Sequence, residues 1–84
     1  MPKLTLQVRT HDNLLELLAQ SESAAWIVAE EKVGKITHVQ IVNFEGTQMI
    51  EAIFDRNASY KDDNRLVIKF LDGHVVNCSM QFDG

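Results

Sequence analysis

Cysteine is almost missing from this chain. Cys78 is the only one, so no disulfide can close within it. Small secreted domains ordinarily rely on several such bridges, so a reducing, cytoplasmic setting is expected. Long apolar runs are missing too. The longest, residues 24–29, falls far short of the roughly 20 residues that span a bilayer. Residues 1–9 alternate polar with apolar side chains and do not form the core of an export signal. No membrane partner is expected.

Clustered positive charge is the third absence. Eight Lys and Arg stand against twelve Asp and Glu, for a net charge of −4. The basic residues are scattered, and several have acidic neighbours, as Lys32 follows Glu30 and Glu31 and Lys61 precedes Asp62 and Asp63. Affinity for a phosphate backbone comes largely from clustered Lys and Arg that release counterions. Nucleic acid is therefore a disfavoured partner.

Familiar catalytic signatures are absent as well. The chain has no phosphate-cradling glycine loop, no paired-cysteine zinc spacing, no Gly-x-Ser-x-Gly elbow and no His-Glu-x-x-His. Its three histidines lack Cys or Asp at ligand spacing, so neither metal nor cofactor is expected.

What is present describes one folded domain over residues 1–84. At 45% hydrophobic and 24% charged, the composition is that of a globular protein, and the length leaves room for a single core. Leu4, Leu6 and Val8 alternate with polar residues, which predicts a first strand. Thr10 to Asn13 then offer helix-capping side chains. Asn13 and Glu16 stand at capping-box spacing, and Leu14, Leu15, Leu17 and Leu18 form a helical stripe, predicting a helix over 12–21. Residues 25–29 are aromatic and β-branched, which favours a buried strand. A helix over 23–33 ending at Gly34 is the alternative.

From Ile36 the period is again two. Glu45-Gly46 and Asp72-Gly73 each lie between apolar alternating stretches, a strong hairpin signal. In the first hairpin a two-residue loop pairs Ile41 with Ile50 and Val39 with Ala52. In the second, a three-residue loop at residues 71–73 pairs Phe70 with His74 and Ile68 with Val76. The polar segment 55–64 reads as an exposed loop, with Arg56 and Tyr60 its best recognition candidates. The predicted fold is α+β: one main helix on a mainly antiparallel sheet of five or six strands, in β-α-β-β-β-β-β order, with two β-hairpins in the C-terminal half.

The register of the first hairpin predicts a candidate site. If Val39, Ile41 and Ile50 face the helix, the opposite face carries His38, Gln40 and Glu51 in an apolar frame of Val42, Phe44, Met49 and Ile53. The favoured expectation is a contact surface. The apolar four would be buried by a second copy of the chain in a homo-oligomer, most simply a dimer, or by another protein. The alternative is a small-molecule pocket, with His38, Gln40 and Glu51 as its polar groups and Trp26 as a wall. Trp26 is otherwise a core residue, and Cys78, in apolar company, is structural.

Overall fold

The computed structural model describes residues 3–28 and 30–79. Strand β1 (Thr5–Thr10) leads to helix α1 (Leu14–Gln20), strand β2 (Glu22–Trp26) and a single helical turn, α2 (Glu30–Val33). Strands β3 (His38–Asn43), β4 (Gln48–Phe54), β5 (Tyr60–Asp62) and β6 (Arg65–Asn77) complete the chain. The result is a small, sheet-dominated α/β domain. Its strand order is β1-β3-β4-β6-β2, with β5 paired to β6. The β1–β3 pair is parallel and the other pairings are antiparallel.

The helix forms where its cap does. Asn13 Oδ1 accepts from the backbone N–H groups of Leu15 at 2.8 Å and Glu16 at 3.4 Å, satisfying donors that the first turn leaves orphaned. Ser21 closes the other end in a left-handed conformation, φ 53. Leu14 and Leu17 are buried against the sheet, and Leu18 packs beside them half-buried. Leu15 remains exposed.

The stretch that admits either strand or helix contains both. β2 takes residues 22–26 and pairs with β6, with Glu22 opposite Lys69. Those two side chains form an ion pair, and the hydrogen bond to the Glu22 carboxylate raises the Lys69 ammonium above its ordinary pKa. α2 then occupies residues 30–33, a second and very short helix beside the one expected. Residue 29, the end of the expected strand, lies outside the described residues.

The first hairpin has the predicted register: Val39 pairs with Ala52 and Ile41 with Ile50. Its strands end earlier, at Asn43 and Gln48, leaving residues 44–47 as the loop. Val39, Ile41, Ile50, Ala52 and Phe54 join Leu14 and Leu17 in the core, with Leu66, Ile68 and Phe70 of β6.

The second hairpin is not where Asp72-Gly73 suggested. β6 runs unbroken through both residues for 13 positions and pairs along its later half with β4. The turn lies instead at Asp63-Asn64, both left-handed at φ 51 and 68. This is the two-residue connection whose twist matches antiparallel strands. It joins β6 to β5, so part of the expected exposed loop is a strand.

At Asp72-Gly73 the β4–β6 register shifts by one, so these two residues together oppose Ala52. That is a β-bulge, with Asp72 left-handed at φ 54. Gly73 is needed there for space. A Cβ at that position would lie 2.8 Å from Phe70 Cε2 and 2.9 Å from Leu18 Cδ1.

Candidate functional site

Strand registers define the face of the sheet turned away from α1. Residues paired across neighbouring strands share a face, so three cross-strand rows follow. Arg9, Val42, Met49 and Val76 form the first; Gln7, Gln40, Glu51 and His74 the second; Thr5, His38, Ile53 and Leu71 the third. The bulge keeps this face continuous. Leu71 and His74 are three positions apart and would face opposite sides of a regular strand, but the extra residue between them restores both to the outer side.

The middle row is wholly polar, and beside it the surface is hollowed into a depression of about 220 Å³. Its lining includes the predicted trio His38, Gln40 and Glu51 together with Lys3, Asp72 and His74, while Thr5 and Ile53 complete one side. Gln40 lies directly opposite Glu51, and His38 is diagonal to it, opposite Ile53.

Hydrogen bonds within the chain orient part of this set. Gln7 Nε2 donates to Gln40 Oε1 at 3.0 Å. His38 Nδ1 lies 2.8 Å from Thr37 Oγ1, and that hydroxyl is anchored on the Leu4 backbone, accepting from its N–H and donating to its carbonyl, each at 3.1 Å. His74 Nδ1 lies 3.4 Å from the Asp72 carbonyl. Among the described residues the half-buried Glu51 carboxylate takes part in no hydrogen bond or ion pair. No three His, Cys, Asp or Glu side chains among the described residues are placed to hold a metal ion.

The remaining candidates are placed elsewhere. Trp26 lies away from the depression. It packs half-buried against the core, and its indole Nε1 donates to Ser23 Oγ at 2.9 Å. Of the four apolar residues expected to frame a contact surface, Val42 and Met49 are covered within the chain, at 0% and 9% exposure, whereas Phe44 and Ile53 are open at 45% and 43%. Phe44 carries its own cover: the His11 ring stacks on it at 4.1 Å, and the Arg9 guanidinium carbon sits 4.0 Å from its centre. Arg56 is exposed, but its guanidinium donates to the Ile36 carbonyl at 3.3 Å. Tyr60 is exposed on β5. Cys78 is half-buried with its thiol 3.5 Å from the Gly46 carbonyl.

His74, Asp72, Lys3 and Thr5 are the lining residues that sequence reasoning missed. A turn at Asp72-Gly73 would have sent His74 to a hairpin rim. The signal available was the β-branched pair Val75-Val76 beyond Gly73, of which Val75 pairs with Ile50. Lys3 and Thr5 enter through the parallel pairing of β1 with β3, which alternation alone does not specify.

No helix among the described residues is long and apolar enough to cross a membrane. Comparison with protein-family models, with curated proteins and with solved structures found no match for this chain.

Proposed function

We propose that this chain is a small ligand-binding domain whose site is the depression beside the row Gln7, Gln40, Glu51 and His74. One observation carries the reading. Polar groups far apart in sequence, on β3, β4 and β6, converge on a single hollow, and one of them is a carboxylate without a partner among the described residues. Convergent polar groups in a concave, partly apolar surface are the usual make-up of small-molecule sites. At about 220 Å³ the hollow is smaller than the roughly 300–1,000 Å³ of drug-sized sites, so the ligand is small.

A fragment screen read by backbone amide NMR tests this. Hits are expected to move signals of residues 38–40, 51–53 and 72–74 together, and to raise the melting temperature as ligand binding to the folded state must. The shifts should vanish in His38→Ala and Glu51→Ala. A screen that leaves those signals unmoved, or hits that bind both variants unchanged, overturns the proposal.

Self-association through the same face is the second reading, and the exposed apolar pair Ile53 and Leu71, adjacent across β4 and β6, favours it. It ranks lower because Val42 and Met49 are already buried, and a stable interface needs roughly 800 Å² per partner around a desolvated apolar centre. A dimer in light scattering that Ile53→Lys dissociates would reverse that order.

A further inference from the structure

Resting on the binding site proposed above, we infer that its ligand is a small organic cation, a primary ammonium or guanidinium compound with a short alkyl body. Fixed charge sets the sign. Glu51 and Asp72 line the hollow against one ammonium, Lys3. A bound anion would therefore meet two carboxylates, one of them half-buried, in a setting where charges are less screened than in water.

The hydrogen-bonding groups agree. Glu51, an obligate acceptor when ionised, has no partner among the described residues. The Thr37 hydroxyl reaches both the Leu4 carbonyl, at 3.1 Å, and His38 Nδ1, at 2.8 Å; in the tautomer that complements its bond to Leu4, His38 Nδ1 donates to Thr37. In the neutral ring this leaves Nε2 as an acceptor. Gln40 offers its Nε2 donor group and the second lone pair of Oε1, the first accepting from Gln7. A ligand rich in N–H groups satisfies this acceptor-heavy set, and Ile53 on the wall gives an alkyl chain something to cover.

The probes are butylammonium and butylguanidinium, with butyrate and butanol as shape-matched controls, each titrated near neutral pH while the amide signals of residues 40, 51 and 74 are followed. Both cations should give saturable shifts. Glu51→Gln should weaken them about tenfold, the scale of one hydrogen bond to a charged group. Asp72→Asn is a second variant that folds readily, since Asn accepts the left-handed backbone at that position, and it should weaken binding by less. Added salt should weaken both cations. Butyrate binding as tightly as the cations, or a Glu51→Gln variant that binds them unchanged, overturns the charge assignment and leaves the pocket standing if fragments of another class bind there. Failure of all four probes overturns the cation proposal too, and only an accompanying failure of the fragment screen removes the site itself.

Discussion

Glu45-Gly46 and Asp72-Gly73 are nearly the same dipeptide in nearly the same setting, and the chain does opposite things with them. At the first it reverses direction, and at the second it continues as a bulged strand. Asn43 makes one difference. Its Oδ1 accepts from the N–H groups of Thr47 at 2.9 Å and Gln48 at 3.3 Å, its Nδ2 donates to Thr47 Oγ1, and its carbonyl accepts from Gly46. The loop is thus tied by local bonds, and Gly46 takes the left-handed conformation at φ 75. Around Asp72-Gly73 the decisive contacts are distant in sequence. Phe70 is buried opposite Phe54, and Val75 packs on the core opposite Ile50. A turn there would strip both partners from β4. A local turn signal decides the fold where no long-range pairing competes with it.

The two glycines should therefore fail for different reasons. Gly73→Ala forces a methyl into Phe70 and Leu18 and should cost about 1–3 kcal/mol, the range for overpacking. Gly46→Ala should cost about 1 kcal/mol by placing a Cβ at positive φ. Urea denaturation of both variants alone and combined with Leu18→Ala separates the causes. The Leu18 truncation should recover part of the Gly73→Ala loss and none of the Gly46→Ala loss, a coupling that a double-mutant cycle measures. Equal coupling in both cycles would remove the distinction. The true second turn should show a smaller effect of the opposite sign. Asn64→Gly places glycine at a left-handed position of a two-residue hairpin loop and should raise stability by roughly 0.5 kcal/mol, visible as a small rise in melting temperature.

How much was legible follows from the same contrast. The β3–β4 register could be read because only one pairing keeps Val39, Ile41, Ile50 and Ala52 on one face, and with it came the trio His38, Gln40 and Glu51. The start of α1 could be read because Asn13 caps it through bonds to its own near neighbours. β5 was hidden because Tyr60, Lys61 and Asp62 are all exposed and show no alternation. The other half of the proposed site was hidden because His74 reaches Glu51 only through β4–β6 pairing and a bulge, both products of tertiary contact. Val42 and Met49 were assigned correctly to the outer face, but their burial there is a property of the folded chain that strand parity does not carry.

Cross-strand NOE measurement in β6 tests the central claim most directly, since the site exists only if β6 passes straight through Asp72-Gly73. Contacts linking Glu51 with His74, Ile50 with Val75 and Ile53 with Leu71 are expected, with none between Ile68 and Val76. Contacts joining Phe70 to His74 and Ile68 to Val76 would mean that the strand folds back on itself, and His74 and Asp72 would then leave the site.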